Sequence, residues 1–190
     1  MKTFNHPTSI SRCGKWATAL SAITLSLIAW TASAKDEVPT KETANGQTIA
    51  ATQNPDGSQD LNAVVVGVGT HTGQYTGLQQ THVAAFNPAQ QYDPGTHSLQ
   101  IPIPSSGRST AANGDTWDWT AEGVVIVPLD ASFNPLPPPY AFHSIWKIVG
   151  GTGRFKGSTG YGTGEGFSYA DGTTSAIHIG VRSTVGSNKK

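Results

Sequence analysis

From Gly46 onward the chain never sustains a helical period; short strand-like runs alternate with turn signals instead. The turns are Asn54-Pro55-Asp56-Gly57, Asn87-Pro88, Asp93-Pro94-Gly95, Asn113-Gly114-Asp115, Asn134-Pro135 and Asp171-Gly172. Glycine admits positive φ, proline presets φ, and Asn or Asp bonds its own backbone, so each cluster reverses the chain for a physical reason. The runs between them are rich in Val, Thr and aromatics and predict strands at Thr48–Gln53, Asp60–Gly69, Gly73–Gly77, Thr81–Phe86, Ser98–Ile103, Thr116–Pro128, Phe142–Val149, Thr159–Tyr169 and Thr174–Val185. This rhythm predicts an all-β sandwich or barrel. It excludes most αβ enzyme folds, whose parallel strands need crossover helices. Leu136-Pro137-Pro138-Pro139 reads as a stiff extended connector, and Ser105–Asn113 as a loop crossing one end of the sheet.

The N-terminal segment has a different grammar. Lys2, Arg12 and Lys15 form a positive region, Trp16–Trp30 an uncharged apolar run, and Thr31-Ala32-Ser33-Ala34 a small-residue cleavage site. This pattern predicts a secretory signal peptide over residues 1–34, cleaved after Ala34, and a secreted or periplasmic protein. A retained anchor is the alternative, but the apolar run is short for a span, and no stable membrane anchor is expected. Cleavage leaves 156 of the 190 residues, enough for one domain with a real core. Residues 35–45 are polar and aperiodic and read as a flexible leader.

The only cysteine, Cys13, leaves with the signal, so disulfides, thiolate nucleophiles and thiolate metal sites are excluded from the remainder. Loss of three basic residues leaves nine Lys and Arg against twelve Asp and Glu, a net charge of −3. That balance argues against nucleic acid as a partner.

Three segments are candidates for chemistry. Gly150-Gly151-Thr152-Gly153-Arg154-Phe155 invites a phosphate-loop reading. No Lys-Ser or Lys-Thr follows at the required spacing, and no helix does either. It reads instead as a tight structural turn, with Arg154 pinning carbonyls and Phe155 packing inward. In Gly160-Tyr161-Gly162-Thr163-Gly164-Glu165-Gly166-Phe167 every second residue is glycine, which puts four glycines on one strand face. Such a face allows barrel curvature, or close approach of a bulky side chain or a ligand.

In Thr116–Glu122, Trp117 and Trp119 share one face, and Thr116, Asp118, Thr120 and Glu122 the other. The tryptophans are core or pocket lining; the acids are solvated, unless the strand is inverted and they become a paired acid site with raised pKa values. Beyond residue 34 the histidines His71, His82, His97, His143 and His178 are scattered without metal-binding spacing, so no metal site is predicted. His82 and His143, the latter near Trp146, are the better pocket candidates. No G-x-S-x-G elbow occurs.

Three further runs carry a resemblance. They are Gly69-Thr70-His71-Thr72-Gly73-Gln74-Tyr75-Thr76-Gly77 with Thr81-His82-Val83; Thr110-Ala111-Ala112-Asn113-Gly114-Asp115-Thr116; and Trp146-Lys147-Ile148-Val149 leading into Gly150–Gly157. Together they resemble secreted bacterial relatives of the allene oxide cyclase and dirigent barrel superfamily over roughly residues 60–185. The resemblance implies an all-β, eight-stranded, antiparallel up-and-down barrel over residues 46–187, calycin-like, with an apolar lumen. It also implies a homo-oligomer, trimer or dimer. Plant members cyclise an oxylipin epoxide or steer phenoxy-radical coupling, but the cysteine of the cyclases has no counterpart here.

Three functions stay open. The first is a barrel that binds a small apolar molecule without turnover, with Trp117, Trp119, Trp146, His143 and Phe167 as lining and no cofactor. The second is a cyclase or isomerase acting by confinement, with Glu165, His82 or Tyr75 moving protons. The third is a structural or surface-interaction module with a plugged barrel. A lumen below about 300 Å³ favours the third. A buried carboxylate or histidine of shifted pKa facing the lumen favours the second over the first.

Overall fold

The computed structural model describes residues 37–183; the expected signal peptide and cleavage site lie outside them. Ten strands alternate with little else: β1 (Glu37–Gln53), β2 (Gln59–Gly69), β3 (Gly73–Val83), β4 (Tyr92–Asp93), β5 (Ser98–Pro102), β6 (Ser105–Ala111), β7 (Thr116–Pro128), β8 (Tyr140–Gly151), β9 (Gly160–Ser168) and β10 (Thr173–Ser183). A one-turn helix, α1 (Pro88–Gln91), precedes β4. The strands pair antiparallel in the order β7-β6-β3-β2-β1-β10-β9-β8, and β8 pairs back onto β7. This is a closed eight-stranded up-and-down barrel, with β5 and the two-residue β4 continuing the sheet from β7.

β5 and β6 both lie along β7. β5 pairs with Val124–Pro128 and β6 with Thr116–Ala121, and the Ile103 amide donates to Gly123 O between them (2.8 Å). They form one wall strand interrupted at Pro102-Ile103-Pro104, where proline removes ladder donors.

Several expected boundaries are corrected. Residues 37–45, expected within a flexible leader, form the first half of β1 and pair with β10 from Glu37↔Ser183 to Asn45↔Ser175. This half strand turns Thr40, Glu42 and Ala44 inward, so it lacks the apolar alternation that announces a strand. Ser105–Asn113, expected as a loop, contains β6. Gly73–Gly77 and Thr81–Phe86 belong to one strand, β3, which ends at Val83.

Two clusters fill the interior. Tyr75, Ala111, Trp117, Trp146, Ile148 and Phe155 close one end. Leu99, Val127 and Leu129 pack with Tyr92, Ile101 and Tyr140 beside β5. The closed end depends on the segment after β8. Gly153 opens a short 3-10 turn (Gly153–Phe155) at φ +52°, and the turn drops Phe155 under Trp117, with ring centroids 4.9 Å apart. Arg154 reaches across and donates from Nη2 to Thr72 O (2.8 Å), 82 residues away in sequence, while its amide donates to Asp115 Oδ2 (3.2 Å). A Cβ at Gly151 would meet Thr116 O at 2.5 Å, whereas one at Gly150 meets nothing nearer than 3.8 Å.

A Cβ at Gly153 would run into the Asp115 carboxylate and sit at positive φ. Gly153→Val is therefore expected to cost about 2–3 kcal/mol or more, read as a clear drop in melting temperature. An unchanged melting temperature would sink this account of the turn.

Candidate functional site

The lumen is lined by inward residues of β1, β2, β3, β6, β7, β8, β9 and β10 and encloses a cavity of about 220 Å³. Strand parity decides what enters it, because side chains alternate faces. Tyr75, Trp117, Trp119 and Trp146 point in and line the cavity. Trp119 Nε1 donates to Ser109 Oγ (3.2 Å) and Trp146 Nε1 to Thr163 O (3.1 Å), so both indoles keep their polar edge satisfied. Each ring occupies room left by a neighbouring glycine. A Cβ at Gly107 would meet Trp119 Cζ2 at 2.5 Å, and one at Gly180 would meet Trp146 Cζ2 at 2.6 Å. The glycine face of β9 is thus a floor for side chains, Trp146 over Gly162 and Phe142 over Gly166.

The other expected site residues face away from the lumen. Glu165 is 72 % exposed and lies 3.7 Å from His143 on the outer wall of β8 and β9. Phe167 is 49 % exposed. His82 pairs with Asp60 (2.7 Å) outside β3. These four cannot touch a molecule in the lumen, because they sit on the odd-numbered face of β8 and β9 or the even-numbered face of β3. The inverted reading of β7 is likewise excluded. Asp118 points outward and takes Arg108 Nε at 2.7 Å and Nη2 at 3.1 Å, and those bonds hold its carboxyl below the usual range.

The structure adds three lumen residues: Glu42 from β1, and His178 and Arg182 from β10. Glu42 and Arg182 form an ion pair at 3.5 Å, their side chains 14 % and 5 % exposed. Arg182 packs against two aromatic rings, its guanidinium carbon 5.2 Å from the Trp117 centroid and 4.8 Å from that of Phe155. Its Nε and Nη1 are buried without an acceptor. The Tyr75 hydroxyl donates to Glu42.

Burial pushes the Glu42 carboxyl above its ordinary value, outweighing the opposing effects of Arg182 and Tyr75. Burial also raises the Tyr75 phenol, with the Glu42 charge adding to it. His178 stands directly across from Glu42 in the β1–β10 register. Desolvation lowers its pKa, and the ring is neutral at pH 7.

β10 carries the signal that hid these groups. Its isoleucines, Ile177 and Ile179, point outward at 47 % and 57 % exposure, while His178 and Arg182 point inward. The usual inside-out rule therefore selects the wrong face.

Among the described residues no group of three or more His, Asp or Glu side chains is placed to hold a metal ion. No family model matches the chain, and neither the curated proteins nor the solved structures contain a match. Fold and site together define a closed eight-stranded barrel with an aromatic lumen and a buried ion pair at its closed end.

Protonation of His178 is expected to oppose folding. Its folded pKa lies below its unfolded value of 6.5, so the unfolded chain takes the proton first as the pH falls. Stability should therefore drop as the pH falls below 6.5, by up to about 1.4 kcal/mol per pH unit from this group. Between pH 7.5 and 5 the melting temperature of the wild type should fall relative to that of His178→Gln. Parallel curves would mean that His178 is not desolvated.

Proposed function

We propose that this barrel binds a small, largely apolar molecule in its lumen. The observation that carries the reading is the 220 Å³ cavity walled by Trp119, Trp146 and Phe142, with Trp117 and Tyr75 at its floor. An apolar cavity of about 150 Å³ accommodates benzene, so this one suits a ligand of about nine or ten non-hydrogen atoms. The volume lies under the usual range for larger ligands. By the criterion of lumen volume it favours the plugged-barrel alternative, and it argues against long guests or guests of three or more rings.

The closed up-and-down barrel, the glycine turn after β8 and the aromatic lumen support kinship with the allene oxide cyclase and dirigent superfamily. A second reading, an isomerase or cyclase that confines its substrate, is favoured by two observations: Glu42 is a buried carboxylate of raised pKa and His178 a buried histidine of lowered pKa, both on the lumen wall. Tyr75 is the one proton-transfer candidate from the sequence that stands beside Glu42. We also propose export by the N-terminal signal and assembly with further copies of the chain. The exposed outer row of Val66, Val68, Ile177 and Ile179 supports that assembly.

Native mass spectrometry of the protein, purified gently from its own host, tests the binding reading. A small co-purifying mass supports it and identifies the guest, and the assembly mass reports the copy number. The two tryptophans should separate. Trp117 is 3 % exposed, edge-on to Tyr75 and Phe155, so Trp117→Ala should cost about 3–5 kcal/mol of stability. Trp119→Ala should cost less stability but weaken binding of a bicyclic hydrocarbon about tenfold or more by calorimetry. Equal losses of stability with no change in binding would make both residues core and sink the reading.

A further inference from the structure

The polar groups of the lumen differ in how far they are already spent. Arg182 is closed off rather than satisfied. Its Nη2 faces Glu42, and its Nε and Nη1 are buried beside the Trp117 and Phe155 rings without an acceptor and without exposed surface for a guest to meet. Ser109 accepts from Trp119, and Thr81 and Ser105 bond each other (3.1 Å). Glu42 is half spent, taking Arg182 on one side and the Tyr75 hydroxyl on another. A carboxylate has about four acceptor positions, so two remain. His178 makes no hydrogen bond among the described residues, and its neutral ring offers one donor and one acceptor nitrogen.

Glu42 and His178 are in-register neighbours on β1 and β10, both on the cavity wall. Side chains so placed on one face of an antiparallel pair have Cβ atoms about 5 Å apart. Space around both is reserved by glycine: a Cβ at Gly69 would meet Glu42 Cγ at 2.6 Å, and one at Gly164 would meet His178 Nδ1 at 3.3 Å.

We propose that the guest is a neutral cyclic alcohol of about ten non-hydrogen atoms whose hydroxyl bridges Glu42 and His178. This rests on the reading of the lumen as a ligand site and deepens it. Charge sets the first requirement. Glu42 and Arg182 sum to zero, so a carboxylate guest would meet Glu42 without access to Arg182, and an ammonium guest would leave a surplus positive charge in a desolvated space. Hydrogen bonding sets the second. A hydroxyl donates to the Glu42 carboxylate while accepting from the His178 N–H, filling both with one oxygen. A carbonyl oxygen accepts only and leaves Glu42 unfilled. The ring then lies against Trp119 and Trp146. Burial works against the charge on Glu42, so one more donor to that carboxylate is favourable.

The test is one skeleton with five polar endings: indane, indan-1-ol, indan-1-one, 1-aminoindane as the ammonium ion, and indane-1-carboxylate. Each is titrated into the purified protein at pH 7.5 by calorimetry or ligand-observed NMR. Indan-1-ol should bind about tenfold or more tightly than indane and indan-1-one, as a hydrogen bond to a charged group warrants. Both ions should bind more weakly than indane. Glu42→Gln should erase the preference for the alcohol. That change leaves Arg182 unpaired and risks the fold, so His178→Leu, which leaves the ion pair intact, should reduce the same preference independently. The proposal is overturned if the ketone or an ion binds best, or if the preference survives His178→Leu. Binding of all five without rank order overturns this inference and leaves the lumen-binding reading standing. Binding of none overturns the lumen-binding reading itself.

Discussion

The width of an eight-stranded barrel is the constraint on which the rest of this structure depends. Such a barrel has an interior just wide enough for side chains to fill. A large ring therefore enters only where the strand beside it has no side chain. Tyr75 lies over Gly67, Trp119 over Gly107, and Trp146 over Gly162 and Gly180. The alternating glycines of β9 are thus one half of a packing arrangement whose other half is the aromatic residues of β8. Curvature and ring seating are the same event here. A strand without side chains on its inner face bends more tightly, and the tighter bend brings the neighbouring rings to the axis.

The same constraint explains the closed end. Trp117 and Phe155 meet edge to face at the axis, and the Arg182 guanidinium packs against both rings, 5.2 and 4.8 Å from their centroids. Glu42 lies close enough to balance its charge. Removing one partner of a buried pair typically costs about 3–5 kcal/mol, because the other is left uncompensated. The turn at Gly153 sits at the start of this chain of dependence. It sets Phe155, which stacks on Arg182, which in turn holds Glu42 on the lumen wall.

The all-β class was legible in the sequence because turns are local, while the choice of barrel over sandwich came from the resemblance. Asn-Gly, Asp-Gly and Asn-Pro clusters act within a few residues, and the stretches between them carry no helical period. The lumen was only half legible because facing is not local. Trp117, Trp119 and Trp146 reveal their side by size. His82, His143, Glu165 and Phe167 sit on strands of mixed character, where a one-residue change of parity exchanges the two faces. β10 is the sharpest case: Ile177 and Ile179 read as core and lie outside, while His178 and Arg182 read as surface and lie inside. The first half of β1 was missed for the same reason. Its inward residues Thr40, Glu42 and Ala44 look like a polar leader until β10 is placed beside them.

The size of the cavity and the chemistry of its wall pull in different directions. At about 220 Å³ the space is modest, and a barrel packed for support alone would also be small inside. Such a barrel, however, gains nothing from a desolvated carboxylate or a neutral histidine without a partner. A buried ion pair replaced by well-packed apolar side chains is often neutral or stabilising, and burial disfavours the charged forms of both Glu42 and His178. Support alone would be served better by leucine at both positions. Glu42 and His178 therefore make sense as the lining of a space that something polar enters. On the proposed reading, the small volume describes the guest: one or two rings, neutral, with a single oxygen to place between two adjacent strands.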